Sequence, residues 1–351
     1  MVFRSIFSLF TGFMSFSFIA LMKIYGLNSF QVGLVLTLIM ITQSISYIVL
    51  IIFSIGRNIV VSAIMEVLIG LSLLFFKNVY SFLSAAILMG VSNAIFSSVI
   101  ILQKDFVRKD YSILMTLTSL LNILGIGLFY LRSFINFDII LFAVILALIS
   151  NVIISLKIKY EEPKGTLREL FRLKSIWIIF PLKFFAAMRR VLVVSYIPLI
   201  LLSVFSTYPP GKISLYLAFF QIPLILFLYI GHKISNKVYI IMTIMEFFLF
   251  LLLSVFYNIS IFVFLSIILL ANATAYLRAP AVEETVVKLL RFNTKLSAFS
   301  HLTDMVFLTL SSILFSLLIK FHLYYVMFVL AGLASFLQSI MIFRIMANHS
   351  K

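Results

Sequence analysis

Two adjacent arginines, Arg189 and Arg190, stand inside an apolar run, six and seven residues beyond Lys183. A helix starting near residue 175 carries them about 14 residues in. At about 1.5 Å per residue this is about 21 Å along the axis, close to the middle of a bilayer. One central Arg costs about 2.5–3.5 kcal/mol on insertion scales, so two cost about 5–7 kcal/mol unless they meet water or an anion. Neighbouring helical residues point about 100° apart, so both cannot aim at one spot, while Arg190 shares a face with Lys183. The chemistry on offer is recognition of an anionic group on a substrate. Two structural readings compete with it: snorkelling to the interface, and fixed pairing with Asp304 or Glu246.

Asp304 is the next candidate, with His301 one turn before it. A carboxyl group in an apolar helix suits reversible proton transfer, or it supplies a counter-charge to Arg189 or Arg190. Glu66 and Glu246 also sit in apolar runs. They are read as structural groups hydrogen-bonded to a neighbouring helix, in the protonated form. Uncharged polar residues mark the middle of other runs: Ser15, Gln43, Asn93, Asn122, Gln221 and Asn272. Gln43, Asn93, Gln221 and Asn272 join Arg189 and Arg190 as substrate-binding candidates. Their structural alternative is hydrogen bonding between helices, worth about 0.6 kcal/mol each.

Other chemistry is absent from the pattern. The chain has no Cys, which excludes disulfides and thiolate sites. No phosphate-binding loop occurs: Gly211-Lys212 is followed by Ile and lacks the earlier Gly. No His pair has metal-ligand spacing. No catalytic residues, metal or cofactor are therefore expected, and the chain is not expected to be an enzyme.

The elements that must position these residues are membrane spans. Apolar residues make up 64% and charged residues 11%, where a soluble domain has about 45–50% and about 25%. A soluble fold of this length cannot hide so much apolar surface. The net charge of +16 does not point to nucleic acid, because the basic residues lie in short loops between apolar runs. The first run, from Ser5 to Leu21, is not followed by a small-residue cleavage site and reads as a span.

Each span needs about 20 apolar residues. Twelve candidates result: 5–25, 30–54, 58–77, 80–103, 111–131, 136–157, 176–204, 213–232, 238–257, 259–280, 296–319 and 322–344. Loops on one side collect roughly 19 Lys and Arg, Arg278 among them, against roughly 5 on the other. This bias puts both termini in the cytoplasm of a multi-pass cell-membrane protein. The longest polar stretch, 158–175, divides the spans six and six. It contains the capping pattern Thr166-Leu167-Arg168-Glu169 and reads as a linker with a short amphipathic helix. Domains are thus expected at 1–157 and 176–351.

The halves resemble each other. Ala63-Ile64-Met65-Glu66 matches Thr243-Ile244-Met245-Glu246 at a spacing of 180 residues, and Arg57 then meets Lys237. One residue off, Asn93-Ala94 meets Asn272-Ala273. This is a parallel repeat of six spans.

With that repeat, the chain resembles the major facilitator superfamily as a divergent member. Tyr25-Gly26-Leu27-Asn28-Ser29-Phe30-Gln31-Val32-Gly33 is similar to the family's junction between its first two spans. Of the family's signature after span two only Gly56-Arg57 survives, and Gly231-His232-Lys233-Ile234-Ser235-Asn236 keeps the first Gly of its counterpart. Gln103-Lys104-Asp105-Phe106-Val107-Arg108 resembles the end of span four. Gly125-Ile126-Gly127 sits where exporters of the family carry a Gly-Pro-rich motif, without the Pro.

The resemblance implies an all-α membrane protein of twelve transmembrane helices in two six-helix bundles. Spans 1, 4, 7 and 10 would line a central cavity, 2, 5, 8 and 11 would form the bundle interface, and 3, 6, 9 and 12 would lie outside. The expected function is secondary transport of a small solute by alternating access. Asp304 and His301 would couple it to protons or another ion, and the substrate would be anionic, or a drug or metabolite for efflux. The expected partners are that solute, the coupling ion and the lipid bilayer, with no nucleic acid, and a monomer is expected. The alternatives are a non-transporting receptor or scaffold on a carrier fold, and a membrane enzyme acting on lipid.

Overall fold

The structure is a computed structural model and describes residues 2–52, 59–75, 78–100, 108–157, 176–289 and 294–349. Every regular element among them is helical. The first half contains α1 (Val2–Ile24), α2 (Ser29–Ile52), α3 (Ile59–Phe75), α4 (Val79–Ile100), α5 (Arg108–Leu128) and α6 (Phe137–Ser155). In the second half α7 (Ile176–Val191) passes through a π-helical turn (Leu192–Tyr196) into α8 (Ile197–Val204). Then follow α9 (Pro210–Gln221), α10 (Leu224–Ile230), α11 (Asn236–Phe256), α12 (Ile261–Leu289), α13 (Thr294–Lys320) and α14 (Tyr324–His349).

Each of the twelve apolar runs is mostly helical over its described residues. Ten helices among the described residues are long and apolar enough to cross a bilayer, and Ile59–Phe75 and Val79–Ile95 are shorter apolar helices. Helices satisfy their own backbone groups, which hydrocarbon cannot do for them. Large apolar side chains such as Phe219, Leu226, Phe248 and Val255 stand exposed, as a lipid-facing surface requires. The described residues accordingly form the helices of a multi-pass membrane protein.

Local chemistry sets the helix ends. Asn28 and Gln31 exchange backbone-to-side-chain hydrogen bonds, each amide donating to the other's side-chain oxygen at 2.9 Å. This reciprocal cap starts α2. Gly26, at φ +88°, makes the preceding turn, a conformation that L side chains resist. Asn136 caps α6 by accepting from the Asp138 amide, and Ser235 caps α11 by accepting from Val238. Pro223 separates α9 from α10 inside one apolar run. The expected tenth span ends near 280, yet α12 continues through Pro280 to Leu289. The expected amphipathic linker at 158–175, Gly56-Arg57 and most of the 103–108 motif lie outside the described residues.

Helix neighbours recur between the halves. α1 packs on α5, α2 on α4, and α3 on α4 and α6. In the second half α7 packs on α13, α10 on α12, and α11 on α12 and α14. One contact shows the correspondence at residue level. Gly70 of α3 makes room for Ile145 of α6, and Phe250 of α11, 180 residues after Gly70, meets Gly332 of α14. Small and large partners have exchanged helices.

Across the halves, α2 packs on α13, while α5 packs on α9 and α10. The α2–α13 seam is held by hydroxyl groups. Thr37 Oγ1 lies 2.9 Å from Ser312 Oγ and 3.0 Å from Ser316 Oγ, and Ser44 Oγ lies 2.9 Å from Thr309 Oγ1. Tyr196, from the π turn, donates to the Ser312 carbonyl at 2.8 Å and meets Ser316 Oγ at 2.8 Å. Near the start of α2, Ser29 meets Ser203, and the Lys320 ammonium sits 5.3 Å from the Phe30 ring centroid.

Candidate functional site

The stripe Leu182, Lys183, Ala186, Arg189, Arg190, Val193 and Val194 recurs at helical spacing along α7 and its π turn. It forms one wall of a cavity of about 480 Å³. The opposite wall is α12, through Ala275, Tyr276, Arg278, Ala279 and Val282. Asp304 of α13, Ser335 and Gln338 of α14, and Met115 of α5 complete the lining. The volume falls within the range of small-molecule sites.

The two arginines diverge, as adjacent helical residues must. Arg190 turns toward α13, and its Nη1 and Nη2 donate to Asp304 Oδ2 at 2.8 and 2.9 Å. Its side chain is 49% exposed, whereas that of Asp304 is 2% exposed. Arg190 thus carries the wet end of the pair, within reach of a solute in the cavity. Arg189 turns toward α11 and α12. Its Nε donates to Glu246 Oε1, and its Nη2 donates to Asn272 Oδ1 at 3.1 Å.

Glu246 is the centre of a larger network. It is 0% exposed and pairs through Oε2 with Arg278, which is 4% exposed. Ser335 Oγ also donates to Oε2, at 2.6 Å. Arg278 donates further to Thr243, Ser335 and Ser339, and lies 5.6 Å from the Tyr239 ring centroid. Bidentate and branched guanidinium contacts suit this role better than a lysine would. One buried carboxylate thus ties α7, α11, α12 and α14 together.

Three expectations need correction here. Arg278 was expected among the loop cations, because the tenth span was ended near 280. It is instead a buried member of the network, since α12 runs nine residues further. Glu246 was read as a protonated group hydrogen-bonded to a neighbouring helix, with pairing to Arg189 or Arg190 as the alternative. It is ion-paired with Arg189 and Arg278, so the pairing alternative describes it and the hydrogen-bonded reading does not. The peripheral place expected for the ninth span does not isolate Glu246, because both Arg189 and Arg278 are long enough to reach it.

The other candidates divide. Arg189, Arg190 and Asp304 come together at the cavity, and Asn272 supports Arg189 from behind. Gln43, Asn93 and Gln221 do not line it. Gln43 is buried where α2 crosses α4 close to Gly90, and Gln221 stands at the end of α9. The side chain of His301 lies outside the described residues. Glu66, expected as a structural group, has Ser92 Oγ donating to its Oε1 at 3.3 Å, which agrees with that reading.

Arg278, Ser335, Gln338 and Tyr276 were missed. The first had a signal, a lone cation between Tyr276-Leu277 and Ala279-Pro280 with no other charge until Glu283. The other three carry none in the sequence, since such residues are common throughout apolar helices. No group of His, Cys, Asp and Glu suited to a metal ion occurs among the described residues.

The arrangement can bind an anion. Lys183, Arg189, Arg190 and Arg278 face the cavity with Asp304 as the acid beside them. Compared with known proteins, the chain matches no protein-family model and none of the curated proteins.

Proposed function

We propose that this protein is a secondary transporter of the cell membrane that moves a small anionic solute by alternating access. Two six-helix bundles, 1–157 and 176–351, rock about the cavity in the manner of the superfamily that the sequence resembles. The observation that carries this reading is the cationic cavity at the end of the α2–α13 seam. From Phe30–Lys320 to Ser44–Thr309 the two helices are joined by polar contacts. Asp304 precedes Thr309 by five residues, which places it about 7.5 Å from Thr309 along α13 on the side away from Lys320. Polar contacts along one end of the seam, with the cavity beyond them, support the asymmetry that one state of an alternating cycle requires. The recurrence of helix neighbours supports two related bundles.

Arg190 and Asp304 form the coupling pair in this reading. A solute anion that takes Arg190 draws that cation away from Asp304, and the Asp304 carboxylate is the group that carries the proton in this reading. Anion and proton thus travel together, with no enzymatic step and no cofactor.

The test is flux in reconstituted vesicles. Asp304→Asn is expected to abolish gradient-driven uptake while sparing exchange of solute across the membrane. Arg190→Ala is expected to weaken anionic solutes more than neutral ones of the same shape. Normal gradient-driven uptake by Asp304→Asn removes the coupling role, and equal effects of Arg190→Ala on both solutes make the arginine a structural group only.

A further inference from the structure

We propose that the cavity selects a small organic dianion, with its two charges on one phosphoryl group or on two carboxylates. The proposal rests on the anionic-solute reading and adds a charge state and a body to it.

The charge state follows from pairing. Four cations face the cavity: Lys183, Arg189, Arg190 and Arg278. Two acids answer them, Asp304 and the buried Glu246 behind the wall. Arg190 is matched by Asp304. Arg189 and Arg278 share the single charge of Glu246, which leaves one positive charge over. Lys183 has no ion-pair or hydrogen-bond partner among the described residues and leaves a second. A monoanion compensates half of this excess, whereas a dianion compensates it fully, and in a low-dielectric site full compensation is strongly favoured. Glu283, Glu284 and His301 lie close by in sequence, and their side chains are outside the described residues, so the balance is that of the described groups.

The body follows from the walls. Lys183 and Arg190 lie seven residues apart on one face of α7, about 10 Å along the axis. Both side chains are long enough to converge on one phosphoryl group or to hold two carboxylates apart. Past Arg190 along α7 and its π turn the lining is apolar, through Val193 and Val194, and Ala275 and Met115 add further apolar lining. A bare inorganic ion would leave that end to water, whereas an organic body fills it. Tyr276, Ser335 and Gln338 add neutral hydrogen-bonding groups.

The experiment is calorimetric binding to the purified chain in detergent at pH 7.5, with two matched pairs of probes. Phenyl phosphate, a dianion above its second pKa of about 6, is compared with methyl phenyl phosphate, a monoanion. Glutarate is compared with glutaramate in the same way. At least one dianion is expected to bind about tenfold tighter than its monoanion, and Lys183→Gln is expected to narrow that ratio to about threefold or less. A preference confined to the phosphate pair identifies a phosphate monoester, and one confined to the other pair identifies a dicarboxylate; either supports the proposal. Equal binding within both pairs overturns the dianion while leaving an anionic solute in place. A preference untouched by Lys183→Gln overturns the assignment of the second charge. Binding by none of the four probes overturns the anionic reading of the cavity itself.

Discussion

At the residue scale, the ionic network around Glu246 explains how this bundle tolerates two guanidinium groups in its interior. A buried ion pair adds little net stability over an apolar replacement, but removal of one partner leaves an uncompensated charge. Glu246 answers both Arg189 and Arg278, so it is the partner whose loss costs most. Glu246→Gln is expected to destabilise the protein by about 3–5 kcal/mol, read as a lower melting temperature in detergent. The double change Glu246→Gln with Arg278→Met restores part of that loss, because one stranded cation goes with the carboxylate. Melting of the single variant at the wild-type temperature would remove the network from the fold's support. Much of the site was legible here. Arg189, Arg190 and Asp304 stood out because charge inside an apolar run is rare and costly. Arg278 was lost because its span was ended at a proline, although α12 carries Pro280 within it. Ser335 and Gln338 could not be read at all, since which polar residue of a long apolar helix faces a cavity depends on packing that the sequence does not display.

At the element scale, glycines decide which helices can approach closely. In membranes small residues at crossings permit backbone contact that drives packing. Gly12 of α1 and Gly125 of α5 form such a crossing. A Cβ at Gly125 would fall against the backbone of Leu9 and Phe13, and one at Gly12 against the backbone of Asn122. Backbone cannot give way as a flexible side chain can. Gly125→Leu is therefore expected to cost about 1–3 kcal/mol or to prevent folding. Gly127, two residues on, has only Ala218 Cβ near it, at 3.6 Å. Gly127→Ala is expected to leave the melting temperature unchanged. Equal effects at both positions would contradict the crossing. The sequence named Gly125-Ile126-Gly127 as a motif without separating its two glycines, because close approach depends on a partner helix about 110 residues away. Helix existence was legible for a simpler reason: about 20 apolar residues have one stable form in hydrocarbon. The π turn after Arg190, which delivers Tyr196 to the α2–α13 seam, had no comparable signal.

At the scale of the whole molecule, the repeat read from Glu66 and Glu246 corresponds to a recurrence of helix neighbours, and Gly70 and Phe250, at the same 180-residue spacing, each meet the corresponding partner helix. The two halves nevertheless differ in chemistry. Glu246 gathers two cations, whereas Glu66 receives a hydroxyl from Ser92. Among the described residues the ion pairs given by Glu246 and Asp304 lie in the second half, beside a wall that α7 and α12 share. The most direct measurement places a thiol on that wall, in a chain that has no Cys of its own. Ala186→Cys lies on the α7 face between Lys183 and Arg190. In sealed vesicles of known orientation, it is predicted to react with membrane-impermeant thiosulfonates applied from either side, as the cavity opens to each in turn. The anionic reagent is predicted to react faster than the cationic one, and Arg190→Ala is predicted to reduce that preference. Reaction from one side only, or a faster cationic reagent, would contradict a carrier built around an anion-attracting cavity.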